Sequence, residues 1–145
     1  MDDLFKLRKL YQLKNVYRYG SVAGRKESAA EHTWSCLALA DYFLHRLDLK
    51  LNKEKVYQLL IYHDIAEIEA GDTPIHHHEA RKGKQERERK AMQKLEKTLP
   101  SGFSRRVAQL FRKFEEKKSP EALFAVIIDQ LDAIIHELDY PEDWK

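Results

Sequence analysis

Cysteine is nearly absent from this chain: Cys36 stands alone among 145 residues. That excludes a disulfide framework and a cysteine zinc cluster, and it fits a reducing, cytoplasmic setting. Glycine (5) and proline (4) are scarce, and strand-like runs are hard to find. No stretch approaches the roughly 20 apolar residues of a membrane helix. The N-terminal MDDLFKLRKLYQLKNVYRYG mixes charges with leucines and lacks the uninterrupted apolar core of a secretory signal. An excess of one charge is missing too. The net charge is +2 with both signs abundant, so neither nucleic acid nor a membrane is required as partner. A chain of this length reads as one domain, 1–145, able to bury a core without disulfides.

What remains is helical periodicity. Six helices are expected, at 3–19, 29–47, 53–70, 78–98, 101–116 and 120–138. Leu4, Leu7, Leu10 and Tyr11 trace a face of the first, and YGSVAGRKES after it reads as a loop. Trp34, Leu37, Ala38 and Leu44 keep helical spacing in the second. Gly71 stops the third as a C′ glycine, with Pro74 shortly after. Ser119 and Pro120 open the last as N-cap and first helical residue. The fold class is all-α, a compact helical bundle.

Several ionisable residues fall where apolar ones belong. In YHDIAEIEAGDTP, His63 and Glu67 are four apart and share a helix face, and Asp64 is turned by about 100° from His63. A buried carboxylate without a partner is costly, and a divalent cation is one way to offset that cost. A capped, solvent-facing helix edge is the plainer reading of such a pair. The last helix is apolar nearly all round, yet it carries Asp129 among Ile127, Ile128 and Leu131, with Asp132 three residues on. Either aspartate could pair with an arginine instead. His32 lies in the first turns of the second helix, where a lone histidine is more often a core residue than a ligand. Taken together, His32, His63, Asp64 and Asp129 offer two imidazoles and two carboxylates. That set suits a divalent ion such as manganese, cobalt, nickel, iron, zinc or magnesium, with positions left open for water and a substrate oxygen.

ESAAEHTW, HDIAEIEAGDTP, KGKQERERKAM and IIDQLDAIIHEL resemble, in order and spacing, the HD-domain metal-dependent phosphohydrolases. The extended block through Glu67, Gly71, Asp72, Thr73 and Pro74, and VYRYGS upstream, look like the branch that contains 5′-deoxynucleotidases. The resemblance implies one divalent ion held by His32, His63, Asp64 and Asp129. It implies that Glu67 orients or deprotonates an attacking metal-bound water. Asp72 would serve as proton donor to the leaving 5′-oxygen or as its relay, and Arg18 would hold the phosphate. Thr73 belongs to the substrate loop, Lys84 matches a pairing with Glu88, and Tyr19 follows the arginine, where it would bracket the sugar. Asp129 is preferred to Asp132 because DQLDAIIH lines up with the family's ending.

The substrate expected is a nucleoside 5′-monophosphate, most often the 2′-deoxy form. An HD hydrolase of a triphosphate, cyclic nucleotide or alarmone is the alternative, and a non-catalytic nucleotide sensor a further one. Family relatives commonly continue beyond the last ligand helix and are often homodimers, so a homodimer is expected. His76, His77 and His78 read as solvated surface, the basic RKGKQERERK as a solvated helix face, and His45 and His136 as structural.

Overall fold

A computed structural model describes residues 2–73 and 78–144. The chain opens with α1 (Asp3–Leu7), capped by Asp2, and tightens into a 3-10 helix over Arg8–Asn15. It then forms an antiparallel hairpin, β1 (Tyr17–Val22) and β2 (Arg25–Ser28). The expected first helix over 3–19 therefore stops at Asn15, and the expected loop is half of a small sheet. The physical reasons are local. A 3-10 helix repeats every three residues, so the leucines that turn inward are Leu7, Leu10 and Leu13, while Leu4 and Tyr11 stay exposed. Val16, Tyr17, Tyr19 and Val22 are β-branched or aromatic and favour a strand. Ala23 (φ 48°) and Gly24 (φ 81°) supply the two positive φ angles of a tight hairpin turn.

Helix α2 (Ala29–Arg46) starts at a capping box, in which Ser28 Oγ accepts from Glu31 N–H and Glu31 accepts from Ser28 N–H. Asn52 caps α3 (Lys53–Tyr62). The expected continuous helix over 53–70 is broken: residues 63–66 form turns, and α4 covers Glu67–Ala70. Gly71 ends α4 at φ 77°, the stop that its position implied. The expected helix 78–98 is likewise split into α5 (His78–Arg81) and α6 (Lys84–Thr98), because Gly83 takes the left-handed conformation between them. Helices α7 (Ser101–Glu116) and α8 (Pro120–Glu137) follow the expected spans, with Ser119 capping α8. A 3-10 turn closes the described chain at Pro141–Trp144.

Two apolar clusters hold the bundle. One joins α2, α3, α7 and α8 through Leu44, Leu59, Leu60, Leu110, Phe114 and Ile128. The other joins α4, α6 and α7 through Ile65, Met92, Leu95, Val107 and Phe111. Burying one such side chain stabilises the fold by about 1.5–3 kcal/mol. The turn at 63–66 lies between the clusters: Ile65 belongs to the second, and the Phe114 ring of the first lies 5.1 Å from that of His63. Among the described residues no helix is long and apolar enough to cross a membrane.

Candidate metal centre

Three helical elements bring the four expected ligands to one point. His32 comes from the start of α2, His63 and Asp64 from the turn that follows α3, and Asp129 from the middle of α8. His32 Nε2 lies 2.7 Å from Asp129 Oδ1 and 3.7 Å from Asp64 Oδ2. His63 Nε2 lies 3.2 Å from Asp64 Oδ2, 3.3 Å from Asp129 Oδ1 and 3.4 Å from His32 Nε2. Ligands about 2.0–2.2 Å from a shared ion must stand about 3–3.6 Å from one another. Three of these five separations fall in that range; the 2.7 Å between His32 and Asp129 is a direct hydrogen bond and the 3.7 Å to Asp64 lies just beyond it, so one ion fits once His32 and Asp129 part slightly.

The second nitrogen of each imidazole is already used. His32 Nδ1–H donates to Asp132 Oδ2 at 2.7 Å, and His63 Nδ1–H donates to the Leu60 carbonyl at 2.6 Å. Both rings therefore present Nε2 to the shared point, as a ligating histidine with an outer partner does. The bond to Leu60 also explains the broken helix. The His63 ring takes a carbonyl from the helical ladder. The next bonds then run over three residues, from Glu67 N–H to the Asp64 carbonyl and from Ile68 N–H to the Ile65 carbonyl. His63 and Glu67 still converge, through this tightened turn rather than along a straight helix face.

Charge inside the cluster follows from burial and close pairing. Burial works against protonated imidazoles, but hydrogen bonds to Asp129 and Asp132 outweigh it at His32, and the charge of Asp64 does so at His63, so both pKa values are raised. Burial would lift Asp64, yet His63 holds it down at about 2; Asp129 is held well below the carboxylate range by both histidines against the same burial. Without an ion, protons on the imidazoles offset the two carboxylates. A divalent cation would supply that charge instead. Asp64 Oδ2 is buried and receives no hydrogen bond, the state expected of an oxygen reserved for a cation.

Cys36 Sγ also falls near this point, within 4.8 Å of ligand atoms of His32, His63 and Asp129. It lies 3.7 and 3.6 Å from the two nitrogens of His32, which places it against the ring rather than along the nitrogen lone pairs. Burial raises its pKa far above the usual thiol range, with the neighbouring aspartates adding to the effect. Cys36 therefore packs beneath the cluster as a neutral thiol in the ion-free fold, on the side away from the expected fourth ligand, Asp64.

The other expected residues surround this cluster unevenly. Glu67 is buried (5% exposed), and its Oε2 has no hydrogen-bond partner. Burial, then the charges of Asp64 and Asp72, push its pKa up to about 10. Asp72 sits on the loop after Gly71; burial raises its pKa too, while Arg18 and Lys84 pull the other way. Arg18 reaches in from β1, with Nη1 3.5 Å from Asp64 Oδ2 and 4.0 Å from Asp72 Oδ1. Lys84 pairs with the buried Glu88 at 3.4 Å. Tyr19 is half-buried on β1, with the Lys26 ammonium 4.7 Å over its ring. Thr73 is half-buried beside Asp72. His76 and His77 lie outside the described residues, and His78 is exposed at the start of α5. A groove of about 880 Å³ between the N-terminal segment and α6, lined in part by Phe5, Tyr11 and Lys97, contains none of the four ligands.

The HD-domain family model matches residues 10–145. The chain belongs to the HD-domain family. The 5′-deoxynucleotidase HDDC2 of Danio rerio is 32% identical over 146 residues, which take in 98% of this chain and 72% of that protein. HDDC2 of Bos taurus is 32% identical over 139 residues, with 94% of this chain and 66% of the relative covered. This HD-domain chain thus spans roughly two thirds of the length of the curated relatives it matches. A solved structure described as a "predicted metal-dependent phosphohydrolase", from Magnetospirillum magnetotacticum MS-1, superposes with a TM-score of 0.82 at 31% identity, covering 92% of this chain and 68% of that one.

Three neighbours of the cluster, Asp132, Glu27 and His136, were not placed there from the sequence. Asp132 supports the ligand His32 from outside, although the sequence left it as a competitor of Asp129. Glu27 is buried against Arg18 and His136, although it stood in an expected loop. His136, read as a remote structural residue, faces Glu27 at 3.5 Å. The signal that could have pointed to Asp132 and His136 is the run of polar residues on α8 at steps of three and four, Asp129, Asp132 and His136, all on one face; Glu27 had none.

Proposed function

We propose that the protein is a metal-dependent phosphomonoesterase that releases inorganic phosphate from nucleoside 5′-monophosphates, with the 2′-deoxy forms preferred. The observation that carries this reading is the convergence of two imidazoles and two carboxylates on one point, with a buried orphan carboxyl, Glu67, and a guanidinium, Arg18, at its edge. The names of the HDDC2 relatives point to the same substrate class. A divalent ion held by His32, His63, Asp64 and Asp129 supplies a Lewis acid for a phosphoryl oxygen and acidifies water.

The chain's own residues do the rest. The Arg18 fork binds two phosphate oxygens, a geometry that lysine cannot match. Glu67, a strong base once ionised beside a cation, takes a proton from the attacking water as its oxygen bonds to phosphorus. Asp72, on the loop past the helix stop and with a raised pKa, carries the proton that passes to the 5′-oxygen as the phosphorus–oxygen bond breaks. The products are a nucleoside and inorganic phosphate. To Tyr19, Thr73 and Lys84 this reading assigns the sugar and phosphate side. Cys36, buried and unpaired, fits the reducing interior of a cell.

A second copy of the chain is the expected partner. Leu123, Ile127, Ile134 and Leu138 are exposed along one face of α8, at 48, 58, 58 and 76%, and Trp34 on α2 is 71% exposed. A row of exposed apolar side chains on one helix face is a surface that a second copy could cover. Sedimentation of the native chain and of Ile134→Glu tests this, since a dimer that survives the added charge would place the contact elsewhere.

The deciding experiment is phosphate release from all deoxy- and ribonucleoside 5′-monophosphates, and from tri- and cyclic nucleotides. Metal-stripped protein is re-supplied with manganese, cobalt, magnesium or zinc, and Glu67→Ala serves as control. Turnover that needs metal and collapses in the variant supports the phosphatase. Turnover of a triphosphate or cyclic nucleotide alone would replace it.

A further inference from the structure

We infer that Glu27 is the positioning residue that aims the Arg18 guanidinium at the phosphate, and that His136 on α8 backs Glu27 from behind. The inference rests on the reading of Arg18 as the phosphate-binding group. Arg18 stands among four carboxylates: Asp64, Asp72, Glu67 and Glu27. Three of them belong to the reacting side. Left to itself, the guanidinium would settle on the nearest of these, Asp64, and form an internal ion pair in place of a substrate contact. Glu27 prevents that from the other side. Its Oε1 forms an ion pair with Arg18 Nε at 3.1 Å, while Nη1 stays 3.5 Å from Asp64 Oδ2. Gripping the Nε edge of a planar group fixes its plane and leaves the Nη pair directed at the cluster.

Glu27 is itself held. It is 7% exposed, on the last turn of β2 before the Ser28 cap, five residues ahead of the ligand His32. Its Oε2 lies 3.5 Å from His136 Nδ1. The His136 ring stacks on Tyr140 at 4.9 Å and 20°. Tyr140 Oη accepts from Ala23 N–H at 3.1 Å, and the Asp143 carboxylate accepts from Ser21 N–H at 2.7 Å and from Ser21 Oγ–H at 3.0 Å. The end of the described chain therefore clasps the hairpin that carries Arg18. The fit is close at Gly20, where a Cβ would stand 3.1 Å from His136 Nε2. One face of α8 thus carries a metal ligand (Asp129), the support of a second ligand (Asp132) and the backing of Glu27 (His136).

The test uses the manganese-loaded full chain with Glu27→Ala, Glu27→Gln, Arg18→Ala and the double variant R18A/E27A. Glu27→Ala is expected to lower kcat/KM for 2′-deoxyadenosine 5′-monophosphate by about 10–100-fold, the range for outer-shell partners. Manganese affinity should stay unchanged. Glu27→Gln, which keeps the shape of the side chain and an oxygen facing Nε without the charge, should recover part of the loss. In the Arg18→Ala background, removal of Glu27 should cost nothing further. An equal cost in both backgrounds overturns the inference, as does a parallel fall in manganese affinity.

A second readout needs no turnover. The Arg18 Nε–H resonance, assigned by its loss in Arg18→Ala, should shift and exchange faster with solvent in Glu27→Ala. Should that variant not fold, Glu27→Gln carries the same measurement with a smaller shift. An Arg18 resonance indifferent to Glu27 overturns the inference. A resonance that moves in a protein that hydrolyses no monophosphate refutes the phosphatase reading and leaves the coupling of Glu27 to Arg18 standing.

Discussion

The ligand side and the substrate side of this site are built in different ways. His32 and His63 have side chains only 1% exposed, and they stand over the apolar cluster of Leu59, Leu60, Phe114 and Ile128, while Asp129 closes the ligand side at 31% exposed. Arg18 and Lys84 have side chains 22% and 29% exposed, and they come from a hairpin and from the first turn of a helix. Asp72 comes from a loop. Apolar packing fixes the first group to within the tolerance that coordination demands. Polar contacts fix the second, and such contacts leave room for a substrate to enter. Damage to the two sides should therefore show in different observables.

The largest effect is expected on the ligand side. His63→Ala or Asp129→Asn should abolish stoichiometric metal binding by calorimetry and with it all turnover; a variant that still turns over would remove the residue from the ligand set. Asp132→Asn should be milder, weakening metal affinity by about 10–100-fold, because His32 loses its anionic outer partner but keeps its place. On the substrate side, Arg18→Lys should raise KM and lower kcat while metal affinity stays at the wild-type value. A shift in metal affinity there would mean that the two sides are not separable.

The pH dependence sharpens the same contrast. His32 and His63 have pKa values raised from 6.5 in the ion-free fold. Their stabilising share is fully present below pH 6.5 and is lost as pH rises through the folded values. A bound cation competes with those protons, so its stabilisation grows over the same range. Melting curves with and without manganese should therefore diverge as pH rises, and curves that stay parallel would sink this account. The smallest effect belongs to the rim. Glu31, held down at about 2 chiefly by its hydrogen bonds to Arg25, is 37% exposed. Its share is present above pH 4.5 and is lost as pH falls through about 2. Glu31→Gln should move the melting temperature at neutral pH by no more than about 2 °C, as solvent screens such pairs.

How much of this was written in the sequence divides along similar lines. The span of α8 was legible because Ser119 and Pro120 open it, and that of α2 because apolar residues keep helical spacing along it, whereas the left-handed Lys117 that ends α7 leaves no mark in the sequence. The convergence of His32, His63, Asp64 and Asp129 was legible because a buried carboxylate in an apolar helix demands a partner. The hairpin was not, since its turn uses Ala23–Gly24 rather than the Asn-Gly pair that marks such turns. The break after Tyr62 was also hidden. The apolar period runs straight through it, and only the bond from the His63 ring to the Leu60 carbonyl reveals why the helix stops. Glu27 could not be found because its partners, Arg18 and His136, lie nine residues before it and more than a hundred after it. Pairing over such distances leaves no local pattern.

Cys36 gives the site a clock. Its thiol is wholly buried against the His32 ring, and it is the chain's one sulfhydryl. An alkylating reagent can reach it only when α2 parts from α8 or the fold opens altogether. The labelling rate at this single atom therefore counts the openings of the ligand pocket, one event per modified molecule. Metal that closes the pocket should slow the count in proportion to its occupancy, so the affinity of any ion can be read from a reaction that involves no substrate.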